Sequence, residues 1–403
     1  MSNESDQYHL SQELNPSHQA DVKAVLAISN DMIASASRDS SVGIWTRKGD
    51  SGFQLKTLLN GHHAYVNSLA FIPATDDTDD LLASGGNSSL ILLHSLKTLV
   101  PESQHCLIGH SLNVCALAYS TKFQKLISGS WDQTARVWSK SSAEWTTDVV
   151  LEGHEQAVWG VSIVEEGPKA GCFLTADRMI FLWNKEGEVL QRFKGSPEPV
   201  RSLAILPGGN TFVSACNDKQ VYLIRIWSFE GTILDSLKGH KDYVYQVTLG
   251  SQGIDFVSCG EDHTARAWKV GERPFTVLHP CQTVWSVSSL PNGDIVTGGS
   301  DGRIRAWSED KARIADQATL DAYLNVVKQA MPSGVVGDDH SGQAVQPTKL
   351  TIDIDLSDDD PPVSLEFEVG SDPRTTAEAF GNEHGLSENY INQIEAFIRA
   401  HLD

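Results

Sequence analysis

An aspartate followed six positions later by a tryptophan recurs along this chain, at Asp39/Trp45, Asp132/Trp138, Asp177/Trp183, Asp262/Trp268 and Asp301/Trp307. A sixth pair, Asp218/Trp227, is stretched to nine. The tryptophans step by 93 residues from Trp45 to Trp138 and then by 45, 44, 41 and 39, so the long step holds two units and the repeats number seven. Units of this length cannot bury an apolar face alone and must stack in an array. The clearest unit covers residues 109–138. Its runs at 113–119, 126–132 and 135–138 are short and either alternate or stay apolar, with Ser, Gly and Asp between them, which predicts meandering antiparallel strands rather than helix.

Within that unit His110, Ser128, Asp132 and the Trp138 indole can satisfy one another as one hydrogen-bonded chain, locking turn to core. The pattern resembles a WD40 blade, and seven of them imply an all-β, seven-bladed WD40 β-propeller. The second unit is degenerate: aligning Ser84 with Ser128 puts Ser88 at the Asp position and His94 at the Trp position. That blade is expected to keep its strands at 81–84 and 90–93 and to lack the network. His62, His110, His154 and His240, with Asp39, Asp132, Asp262 and Asp301, look on paper like Ser/His/Asp catalytic sets. They repeat once per blade, whereas catalysis needs one site, so they are read as structural and the chain as no enzyme. Asp353 and Asp355 share one strand face with no accompanying electrophile, which is the pattern of a solvated acidic face.

Beyond Trp307 the sequence turns helical, over about 309–330, and offers no fourth strand for the last blade. Residues 8–14 alternate at period two and are not needed by the first blade, whose outer strand is 53–59. They are expected to clasp the seventh. With 403 residues, 40% of them hydrophobic, there is core for one large and one small domain. A net charge of −21 argues against nucleic acid as a partner and equally against an anionic membrane surface. The six cysteines form no CxxC and no short pairs, and no apolar run reaches membrane-spanning length. We therefore expect reduced thiols, no metal or cofactor, and a cytoplasmic and nuclear location.

The chain is expected to divide into a propeller (1–310), a helix and Gly/Ser/Asp/Gln-rich linker (311–347) and a small α+β domain (348–403). In the last, 349–356 and 363–369 alternate as a hairpin around Asp358-Asp359-Asp360-Pro361-Pro362. Two helices follow, one after Ser371-Asp372-Pro373 and ending at Gly385, the other carrying Tyr390, Ile391, Ile394, Phe397 and Ile398 at three-and-four spacing. This ββαα segment, with Ile352-Asp353-Ile354-Asp355-Leu356, Ala377-Glu378-Ala379-Phe380 and Leu386-Ser387-Glu388-Asn389-Tyr390-Ile391, resembles the PFU domain, the ubiquitin-binding module of the phospholipase A2-activating protein family. Gly239-His240-Lys241-Asp242-Tyr243-Val244-Tyr245 and the strand at 256–262 are similar to that family's propeller. Two features depart from it. Glu366-Phe367-Glu368 stands where a proline-and-tyrosine segment is usual, and no helical PUL domain occurs before Asp403. The resemblance implies a ubiquitin-binding adaptor, with Phe380, Tyr390, Ile391 and Phe397 as PFU-like contact positions. It implies an AAA segregase ATPase as partner only where a PUL domain follows.

A second binding surface is read from register. The residues on either side of the first inner-strand valine of each blade point to one mouth of the central channel: Asp21 and Lys23, Tyr65 and Asn67, Asn113 and Cys115, Ala157 and Trp159, Pro199 and Arg201, Tyr243 and Tyr245, Thr283 and Trp285. Trp131 joins them from a turn. Tyr65, Trp131, Trp159, Arg201, Tyr243, Tyr245 and Trp285 have the composition of an interface centre. The alternative is a generic WD40 scaffold whose partner is not ubiquitin.

Overall fold

The computed structural model describes residues 8–48, 52–75, 79–141, 144–194, 198–218, 221–331, 349–354, 363–368, 372–384, 391 and 394–395. Seven four-stranded antiparallel sheets form the propeller. Their innermost strands are Val22–Ser29, Val66–Ile72, Val114–Ser120, Gly160–Ile163, Leu203–Ile205, Val244–Leu249 and Val284–Ser289. Alternation explains the packing: one face of each sheet meets the next sheet, and the core lies between blades. Ala34, Ala36 and Ile44 of the first blade pack with Leu69 and Leu82 of the second. Leu174 and Leu182 of the fourth pack with Phe212 and Trp227 of the fifth.

The seventh sheet takes its outer strand, His9–Glu13, from the N-terminal side of the chain. His9 pairs with Ser308, Leu10 with Trp307 and Glu13 with Arg305. Arg305, 1% exposed, bonds Glu13 through Nε at 2.8 Å and Asp301 through Nη2 at 2.6 Å. Gln12 reaches the first blade, accepting from the Phe53 N–H at 2.7 Å and donating to its carbonyl at 2.9 Å. One strand thus fastens the two sides of the seam and removes the last open edge.

Six blades hold a buried histidine against a Ser or Thr hydroxyl. His110 Nε2 lies 2.7 Å from Ser128 Oγ and its Nδ1 2.8 Å from Asp132, while the Trp138 indole donates to Ser128 at 2.8 Å. His240, Ser258, Asp262 and Trp268 repeat the arrangement, and in the fourth blade Thr175 stands for the serine between His154 and Trp183. His154 Nδ1 is 3.3 Å from Asp177. Burial alone pushes the Asp262 carboxyl up, yet His240 and Thr264 hold it well below the usual carboxylate range.

The structure corrects two expectations, for the second blade and for the helix after the last blade, and adds what the spacing leaves open in the fifth and seventh blades. The second blade keeps part of its network: His62 bonds Ser84 at 2.9 Å and meets Ser88 at 3.3 Å, because a hydroxyl accepts where the carboxylate is missing. In the seventh blade Asp301 bonds Arg305 rather than the histidine, and the His279 ring bonds Thr297 Oγ1. The fifth blade has no histidine in its network; its Trp227 indole bonds Ser214, which in turn meets Cys216. The helix after the last blade, α1, spans Gln317–Ala330 rather than beginning near 309, because Asp316 caps it by accepting from the Thr319 N–H. Its Tyr323 packs edge-on against Trp307 and donates to the Leu278 carbonyl.

None of the six cysteines forms a disulfide, and Cys216, Cys259 and Cys281 are buried. The chain splits into a compact unit of residues Met1–Met331 and a second of Pro332–Asp403. The second contains the hairpin Lys349–Ile354 with Val363–Glu368, and α2, Pro373–Glu383, capped by Asp372.

Candidate protein-binding rim at the channel mouth

A bulge builds the rim. In five blades the ladder slips at the residue after the inner valine, between Val22 and Ala24, Val66 and Ser68, Val114 and Ala116, Val244 and Gln246, and Val284 and Ser286. The unpaired residues are Lys23, Asn67, Cys115, Tyr245 and Trp285, and the bulge re-aims each toward the channel. The residue before each valine offers its carbonyl to a second turn: Arg38 N–H bonds Asp21, Asn87 bonds Tyr65, Trp131 bonds Asn113, Glu261 bonds Tyr243 and Ser300 bonds Thr283, all at 2.8–2.9 Å. Gly86 and Gly260 make room, since a Cβ there would lie 2.1 Å from the Tyr65 carbonyl and 2.4 Å from that of Tyr243.

The channel encloses about 920 Å³, and Tyr65, Trp131, Trp159, Arg201, Tyr245 and Trp285 all line it. On one flank Trp131 meets Trp159 edge-on at 5.8 Å, and the Arg201 guanidinium lies 4.0 Å above the Trp159 ring. On the other, Tyr243 stacks on Tyr245 at 6.5 Å, and Tyr245 packs on Trp285 at 4.4 Å. Tyr243 therefore supports the rim from outside the channel lining. The Tyr245 hydroxyl donates to Glu261 at 2.6 Å, and the Trp285 indole donates to Asp21 at 2.9 Å. Lys23 Nζ sits 3.0 Å from the Trp285 ring centroid, while Arg38 pairs with Asp21 at 3.0 Å and faces the Tyr65 and Trp285 rings. Tyr65 (49%) and Trp131 (46%) stay half exposed.

Arg38 and Glu261 escape a reading limited to the residues beside the valine. Both occupy the position of Trp131, three residues beyond the structural serine of their blade, so Ser35 and Ser258 would have located them.

The small unit answers differently. Phe380 (5%) and Ile391 (6%) are buried, so they pack the unit and present no face to a partner. A Cβ on Gly381 would lie 2.4 Å from Ile391, which shows how closely that side chain seats on α2. Tyr390 and Phe397 lie outside the described residues.

Comparison with known proteins matches residues 340–403 to the PFU family, described as PLAA family ubiquitin binding, and residues 101–139, 187–225, 231–269 and 273–308 to the WD domain, G-beta repeat. The chain is 37% identical over 337 residues to the ubiquitin homeostasis protein lub1 of Schizosaccharomyces pombe, covering 83% of this chain and 44% of that protein. It is 30% identical over 397 residues to the ubiquitin fusion degradation protein 3 homolog of Caenorhabditis elegans, covering 95% and 44%. With the phospholipase A-2-activating protein of Xenopus laevis it shares 37% over 326 residues, 80% of this chain and 39% of that one. The chain thus spans under half the length of these relatives. The crystal structure of the WD40 beta propeller domain of Doa1 superposes with a TM-score of 0.66 at 32% identity, covering 76% of this chain and 99% of that domain. A propeller so matched over its whole ring, followed by a PFU segment, makes this chain a member of the phospholipase A2-activating protein family.

Proposed function

We propose that this chain is a non-enzymatic ubiquitin-binding adaptor of the cytoplasm and nucleus, which holds ubiquitin and ubiquitinated proteins through its PFU segment and through the upper rim of the propeller. The observation that carries the reading is the PFU match at residues 340–403 behind a propeller whose mouth gathers six aromatic rings. Aromatic and arginine side chains converging on one concave surface are the usual anchors of protein interfaces. An AAA segregase ATPase is a further partner where the protein continues into a PUL domain.

The rim and the PFU segment act in series. Each binds weakly alone, and residues 333–347, rich in Gly, Ser, Asp and Gln, tether one event to the other and raise its effective concentration. The test is an NMR titration of ubiquitin against the full chain and against residues 1–331. Tyr245→Ala and Trp131→Ala are each expected to weaken binding to residues 1–331 roughly 30-fold if they are anchors. Should residues 1–331 leave ubiquitin's spectrum unchanged at millimolar concentration, the rim serves a different protein partner and only the PFU segment binds ubiquitin.

A further inference from the structure

The channel mouth holds cations that the rest of this acidic chain does not balance. Lys23 and Arg201 form no ion pair and no side-chain hydrogen bond among the described residues; each rests on an aromatic face, Lys23 on Trp285 at 3.0 Å and Arg201 on Trp159 at 4.0 Å. Asp21 is already engaged by Arg38 at 3.0 Å and by the Trp285 indole at 2.9 Å, and Glu261 by the Tyr245 hydroxyl at 2.6 Å. Glu198 acts on Arg201 through space without pairing with it. A chain of net charge −21 with 31 Lys and Arg thus leaves two of them unpaired in one partly enclosed mouth. Desolvated cations without a counter-ion are costly, and a ring quadrupole compensates only part of that cost.

We infer that the mouth is an oxyanion site, in which Lys23 and Arg201, with Arg38 beside them, receive a carboxylate or phosphate group that a ligand carries into the channel. The guanidinium offers a planar fork and the ammonium a point charge, which together suit an oxyanion bound from two sides. Asn67 and Asn113, the first donating from Nδ2 to the Oδ1 of the second at 2.9 Å, add polar groups to the same lining. The electrostatics agree. Burial, then Arg38, then Arg201 lower the Lys23 ammonium to about 7, against the opposing pull of Asp21 and Cys259. A bound anion reverses that balance, so binding takes up a proton near pH 7 and weakens as pH rises above it. This inference does not depend on the rim's partner being ubiquitin.

The experiment follows the indole N–H resonances of the full chain during titration with inorganic phosphate and, separately, with a tetraglutamate peptide. Sodium chloride at matched ionic strength is the control. Trp285 and Trp159 are expected to shift saturably with an oxyanion and not with chloride. A stronger response to phosphate assigns a phosphorylated ligand, and a stronger response to the peptide assigns a carboxylate. Lys23→Met and Arg201→Met are each expected to weaken binding at least about 10-fold. Lys23→Arg and Arg201→Lys keep the charge and should retain it, which separates loss of the site from loss of the fold. No response beyond chloride, or an undiminished response in both methionine variants, overturns the inference. Because no ubiquitin is present, that result would leave the adaptor reading intact.

Discussion

His62 and His279 show what the buried histidines do to stability. Burial keeps both neutral, helped by His94 beside His62 and by the Arg305 guanidinium beside His279, and lowers His62 to about 4 and His279 to about 3. The unfolded chain takes up a proton on each as pH falls through about 6.5, while the folded chain does not, so each removes up to about 1.4 kcal/mol of stability per pH unit in that window. Urea unfolding is expected to show a clear loss of stability from pH 6.5 to about 5, with the imidazole resonances of both residues little shifted in the folded protein. A flat profile would contradict the burial. At this scale the sequence is legible where spacing repeats. The blade tryptophans and His110, His154 and His240 can be read directly. His18 and His279 hide because Ser17 and Leu278 replace the preceding glycine, yet His279 stands 18 residues before the hydroxyl it bonds, as His110 and His240 do, and His18 stands 17, one short of them.

Among elements, the strand His9–Glu13 was legible from a deficit, since the seventh blade had three strands and needed four. Its energetics lie in the buried Leu10 and Leu14 and in the buried Arg305, which bonds the partly exposed Glu13 and Asp301. Deleting residues 1–14 is expected to lower the melting temperature sharply and expose Ile304–Ser308 as an open edge, seen as self-association on gel filtration. An unchanged melting curve would mean the strand is not a fastener. The bulges beside the inner valines were not legible, because a one-residue slip leaves the apolar pattern of the strand intact. The burial of Phe380 and Ile391 was likewise hidden: helical periodicity shows which residues share a face, and not whether that face is core or contact.

For the whole molecule, the first compact unit runs to Met331, because α1 lays Tyr323, Val327 and Met331 into buried positions. A chain ending at Met331 is expected to keep the propeller's melting transition. One ending at Asp310 should melt several degrees lower, having lost the cover that Tyr323 gives Trp307 and Arg305. Equal melting of the two would assign α1 no part in the propeller.

The clasp also sets a timetable. His9 pairs with Ser308, so during synthesis the strand must wait for a partner made about 300 residues later. Until then the unfinished propeller carries an unpaired strand on one side of the seam and an incomplete sheet on the other. Ring closure is thus the final event of the propeller's birth, and the interval before it is when a neighbouring copy, or a chaperone, can take the strand's place.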